Sequence, residues 1–211
     1  MPGPWANWPD TGRQDTDGAF TFGEVTVRRQ INVFSGQGGG WNDEVGVPER
    51  RFAGGVVPTF AQVGATAFWA DRFAVNDEMW FHYHIHHDYV VGSAIYCHVH
   101  WFADGVDANT VRWEFTIAAA KGHGQETLNL AGTVLTVTQA SGGSRFHMLA
   151  ELADPGFSSA SLEPDAAVLI RVRRITNGGV DNADPIFFLF SDLHYRSNGS
   201  PTKNKAPNFY A

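Results

Sequence analysis

Residues 111–117, VRWEFTI, put Val111, Trp113, Phe115 and Ile117 on one side of an extended chain and Arg112, Glu114 and Thr116 on the other. Successive side chains of a strand point to opposite faces, so this alternation gives one apolar face and one polar face. EVTVRRQINVF (24–34) repeats it, with Val25, Val27, Ile31 and Val33 opposed to Thr26, Arg28, Gln30 and Asn32. TVLTVTQA, RFHMLAEL, AAVLIRVRRI and PIFFLFSDLHY supply further candidates, parted by turn clusters such as SGG, DPG and NGG. Helical periodicity is nearly absent, so the pattern predicts an all-β chain of about eight short strands, a jelly-roll-like β-sandwich.

The rest of the composition removes several classes of function. No run of about 18 apolar residues exists, so no membrane partner is expected. The opening MPGPWANWPDTG lacks a basic start followed by an apolar stretch, which places synthesis in a cytoplasm. A net charge of -7, with 15 Lys and Arg dispersed along 211 residues, leaves no basic stripe for nucleic acid. The single cysteine, Cys97, excludes an internal disulfide framework and a thiolate zinc knuckle.

Three regions follow from the pattern. Residues 1–70 hold an N-terminal strand and an arm rich in Gly, Pro and Trp, 71–196 the sandwich core, and 197–211 a polar tail. The arm segment GQGGGWNDEVGVPERRFAGGVVPTF is too rich in Gly and Pro for a regular core layer. Trp5, Trp8, Trp41 and Trp69 sit in or beside it, and Phe209 and Tyr210 end the tail. Large aromatics in irregular sequence need an apolar surface, so Trp5, Trp8, Trp41, Phe209 and Tyr210 are candidate contacts to a neighbouring subunit.

WFHYHIHHDYVVGSAIYCHVHW (80–101) holds six of the nine histidines. Taken as an antiparallel hairpin, it gathers His82, His84, His86, His98 and His100 on one face, with Phe81, Tyr83, Ile85, Ile95, Cys97, Val99 and Trp101 on the other. Such a face suits a packed polar surface, a pH-responsive subunit contact through His84, His86, His98 and His100, or a transition-metal site. Gly92 followed by His98-x-His100 also matches the first half of the cupin signature, where a His pair, a Glu and a later His hold a catalytic metal. Here Asp104 stands at the Glu position and no second cupin motif follows. No nucleophile elbow, phosphate loop or zinc-protease helix is present, so no catalytic residue and no cofactor is assigned. No metal is expected either; if one binds, the five hairpin histidines are its candidates. After Phe190, alternation puts Asp192 and His194 on one face of the last strand, where a structural hydrogen-bond network beside the histidines is expected.

The ordered set HHDYVVGSAIYCHVHW, VRWEFTI and SDLHYRSNGSPTKNK resembles a group of tailed-bacteriophage virion proteins across roughly residues 78–205. In that group a His-Asp turn, a strand closing in His-x-His-Trp, a Trp-centred strand and a terminal D-x-H-Y…G-S…K segment recur in this order. The group often has Pro before the first turn His, where this chain has His86. The resemblance implies a β-sandwich subunit of the phage particle, without catalytic residues. Capsid decoration or cement comes first, as a homotrimer contacting the major capsid protein, and a tail or connector role, with glycan binding, second. The rival reading from the residues is a cupin-like metalloenzyme built on His98 and His100.

Overall fold

A computed structural model describes residues 20–22, 25–27, 40–49, 56–152, 162–199 and 202–209. Its strands in chain order are β1 (Phe20–Phe22), β2 (Val25–Val27), β3 (Trp41–Val45), β4 (Val47–Glu49), β5 (Thr59–Gln62), β6 (Trp69–Phe73) and β7 (Glu78–His84). β8 (Ile95–Ala103), β9 (Thr110–Ala120), β10 (Thr133–Ala140), β11 (Met148–Glu151), β12 (Ala167–Ile175) and β13 (Ile186–Arg196) follow. Among the described residues no helix is long and apolar enough to cross a membrane.

The strands form two antiparallel sheets packed face to face, the jelly-roll-like sandwich that the alternation predicts. One has the order β10-β9-β12-β7-β4 and the other β11-β8-β13-β6-β5, with β3 paired to the far end of β13. β1 and β2 pair separately. Val111, Trp113, Phe115 and Ile117 of β9 point inward with Val168, Ile170 and Val172 of β12, and meet Phe73, Val99, Trp101, Phe188 and Leu193 from the other sheet. Each large apolar side chain so buried contributes about 1.5–3 kcal/mol relative to exposure, which is why the period-two pattern decides the fold.

The structure corrects two expectations. β7 and β8 do not form a hairpin. β7 pairs with β12 and β4, β8 pairs with β13 and β11, and residues 85–94 carry the chain from one sheet to the other. Phe81, Tyr83 and Ile85 thereby face Ile95, Cys97, Val99 and Trp101 across the core, burying both apolar faces against each other. Gly92, at φ 83°, takes the left-handed turn that this crossing requires. The second correction concerns the arm. Residues 41–49 and 59–62 supply β3, β4 and β5, so the described parts of this Gly- and Pro-rich stretch extend both sheets. β3 fits between Gly40 and Gly46 and β5 follows Pro58, while β4 carries Pro48 within it and lies at the edge of its sheet, where a proline is tolerated.

Candidate histidine sites

The outer face of the six-stranded sheet carries the first cluster. His98 and His100 alternate with the inward Cys97, Val99 and Trp101, so both project away from the core. On the neighbouring β13 the register shifts between Phe188 and Phe190. This bulge resets the alternation, sending Leu193 and Tyr195 inward and Asp192 and His194 outward. Cross-strand pairing then sets Asp192 directly beside His98, with Glu151 of β11 on the other side of His98. Asp192 Oδ1 lies 3.3 Å from His100 Nε2 and in direct contact with His98 Nε2. His98 Nδ1 faces Glu151 Oε2 at 3.4 Å, and His100 Nδ1 is hydrogen-bonded to His147 Nε2 at 2.7 Å.

His98, His100 and Asp192 are covered, although they face away from the core. The side chains of His98 and Asp192 are 2% and 4% exposed. Burial pulls the His98 imidazole down, but Asp192, Glu151 and Asp43 together outweigh it and hold His98 above its ordinary value. Burial likewise pushes Asp192 up, and the adjoining His100 and His98 imidazoles hold it below its usual range. Among the described residues, His98 with His100 and Asp192, and His98 with Glu151 and His194, are groups whose nitrogen and oxygen atoms converge closely enough to share a cation.

A second cluster lies where the chain leaves β7. Asp165, in a turn at φ 64°, faces the Nε2 atoms of His84 (3.0 Å), His87 (2.9 Å) and His123 (2.8 Å). His87 Nδ1 meets the Thr202 hydroxyl, and Phe209 packs edge-on against the His87 and His123 rings. The His123 contact leads in holding the Asp165 carboxyl below its ordinary value. A carboxylate has about four acceptor sites, so three imidazole donors satisfy this cluster without any further ligand. Next to it, the Asp88 carboxylate accepts from Asn42 Nδ2 and Tyr195 Oη, each at 3.1 Å, and from the Ser197 hydroxyl.

The five histidines expected on one face are therefore divided. His82 pairs with Glu49 at 3.2 Å, His84 joins Asp165, and His86 stacks on Tyr195 and approaches Glu44 at 3.8 Å. His98 and His100 belong to the opposite sheet. His84 and His86 are exposed, but His98 and His100 are 2% and 8% exposed within their own chain, which removes them as subunit contacts. Phe209, 4% exposed, is removed for the same reason: its ring is spent on His87 and His123. Trp41 remains exposed, with Arg196 over its ring. Trp5, Trp8 and Tyr210 lie outside the described residues. The expected neighbourhood of Asp192 and His194 with His98 and His100 is present. His147, Glu151, His123 and Asp165 were not foreseen, because only sheet register and turn geometry bring them in. For Glu151 the alternation of RFHMLAEL carried a signal, since it shares a face with Leu149 opposite the buried Ala150.

Beside the first cluster, Trp41, Tyr96, Glu151 and His194 line a cavity of about 340 Å³. No family model matches the sequence, and no curated protein matches it. Among solved structures the chain is similar to TmCBM61 in complex with β-1,4-galactotriose, at 9% identity over 80% of this chain and 94% of that one, with a TM-score of 0.31.

Proposed function

We propose that this chain is a structural subunit of a tailed-bacteriophage particle, a capsid decoration or cement protein that acts through contacts to the shell. One observation carries the reading beyond the ordered resemblance. The motifs that make the resemblance, far apart in sequence, close on each other in space. The His-Asp turn is tied to the terminal segment through Asp88 with Tyr195 and Ser197, and backbone bonds join Val90 N to Arg196 O and Asn198 N to Asp88 O at 2.9 and 2.8 Å. The His-x-His strand is tied to the same terminal segment through Asp192. Residues used to close a fold suit a structural subunit, whereas catalysis needs polar groups left open to a substrate.

The edge of the six-stranded sheet supports the same reading. β5 and β6 present Phe60 and Trp69 as a stacked pair 5.9 Å apart, both exposed, with Phe68 beside them 77% exposed. An exposed aromatic cluster on an edge hairpin offers area to bury against a neighbouring subunit. A homotrimer seated on the shell is the arrangement that fits decoration, by analogy alone. A tail position is the second reading, favoured by the cavity with Trp41 and Tyr96 in its wall, since paired aromatics beside a carboxylate suit a sugar ring. Particles assembled without this gene decide between them. Loss of heat or osmotic resistance, restored by adding the purified protein, is the expected result. Intact resistance with lost adsorption to host glycans would move the protein to the tail, and particles indifferent in both respects would refute a virion role.

A further inference from the structure

We infer that His98, His100 and Asp192 form a structural site for one divalent transition-metal ion of the zinc class, which clamps β8 to β13. The carriers are buried atoms lacking hydrogen-bond partners. His100 Nε2 and Asp192 Oδ1 face each other at 3.3 Å, and neither has a hydrogen bond. Two ligand atoms each about 2.0–2.2 Å from a shared tetrahedral ion stand roughly 3.4 Å apart, so the observed spacing is that of neighbouring ligands. Asp192 Oδ1 also contacts His98 Nε2 without forming a hydrogen bond, although both side chains are more than nine-tenths buried. Two desolvated ligand atoms without hydrogen-bond partners, His100 Nε2 and Asp192 Oδ1, with His98 Nε2 in contact beside them, call for a cation among them.

The outer nitrogens complete the pattern. His100 Nδ1 is held by His147 Nε2 at 2.7 Å; where His100 donates in that bond, its Nε2 turns a lone pair toward the carboxylate. His98 Nδ1 faces Glu151 Oε2 at 3.4 Å without a hydrogen bond between them, so the carboxylate stands beside the imidazole where a small shift would let it orient the ring. Phe190 stacks on the His100 ring with centroids 4.1 Å apart and fixes its plane. The cluster around Asp165 differs: its imidazoles make hydrogen bonds to the carboxylate, so it has no comparable vacancy of partners. The donor set of two imidazoles and one carboxylate selects a zinc-class ion over calcium or magnesium. The side chains of His98 and Asp192 are only 2% and 4% exposed, which leaves no open face for a substrate and makes the role structural. The inference stands whether or not the protein belongs to a phage particle.

Tag-free, chelator-stripped protein titrated with Zn²⁺ by calorimetry tests it. Wild type should bind one equivalent, with a melting temperature that rises on addition of Zn²⁺ and falls again with chelator. Asp192→Asn and His100→Gln should lose both responses, while His84→Ala and His123→Ala keep them. Glu151→Gln should keep the stoichiometry and weaken affinity about 10–100-fold. Should the ligand variants fail to fold, Co²⁺ added to wild type still decides, by visible bands of a low-coordinate nitrogen and oxygen site. Folded wild type that takes up neither Zn²⁺ nor Co²⁺ at one equivalent would overturn the inference. So would binding that survives Asp192→Asn and His100→Gln and disappears with His84→Ala or His123→Ala.

Discussion

Gly46→Ala should destabilise the protein by about 2–4 kcal/mol, and the penalty should vanish when Tyr83 is shortened. Gly46 alone separates β3 of one sheet from β4 of the other, and its N–H donates to Ser191 O at 2.9 Å, so the chain changes sheets at a single residue. A Cβ there would stand 2.6 Å from Tyr83 Cζ and 2.7 Å from its hydroxyl oxygen. Carbon atoms prefer about 3.5–4.0 Å, so the ring must retreat by roughly 1 Å. It has little room, being 4% exposed and bonded through its hydroxyl to Ser191 Oγ at 2.8 Å, which in turn donates to His98 O at 2.9 Å. Overpacking of a buried site costs about 1–3 kcal/mol and the lost hydrogen bond about 1 kcal/mol more. For a chain of this size that is a fall in Tm of about 5–15 °C. Urea unfolding of wild type, Gly46→Ala, Tyr83→Leu and the double variant measures the coupling, since Tyr83→Leu removes the atoms that the new methyl would meet. Additive losses in the double variant would refute the one-residue crossing and the packing of Tyr83 against it.

His194→Ala should lower stability by about 1 kcal/mol through lost ring contacts to Trp41 and His98, at centroid distances of 5.2 and 5.6 Å, while metal content by elemental analysis stays unchanged; loss of metal would place His194 among the ligands. Acid sensitivity should pass through Asp165. Its folded pKa is depressed, led by the His123 contact, so its contribution is present above the unfolded carboxylate value near 3.9 and is lost as pH falls through the lower folded one. The difference in melting temperature between wild type and Asp165→Asn should therefore be larger at pH 5 than at pH 3, and an equal difference at both would contradict the assignment.

The sandwich was legible because alternation reports which side of a strand is buried. VRWEFTI became β9 with Val111, Trp113, Phe115 and Ile117 inward as expected, and AAVLIRVRRI became β12. Alternation does not report which strands pair, and that is where the histidine face came apart. Phe81 with Tyr83 and Ile95 with Val99 satisfy the same pattern side by side in one sheet or opposed across two, and only the second buries both faces together. β3 and β4 were masked by composition, since glycine and proline counts over a long window hide a tight crossing at Gly46. Asp192 beside His98 was foreseeable once the strand was phased from Phe190, because the bulge precedes that residue. Asp165 and His123 come from turns that carry no periodic signal.

Quantitative mass spectrometry of purified phage particles tests the central claim most directly. The account predicts this chain at tens to hundreds of copies per particle, in fixed ratio to the major capsid protein through successive density-gradient steps. Its absence from particles that are otherwise complete, or a ratio that falls toward zero with each step, would contradict the account.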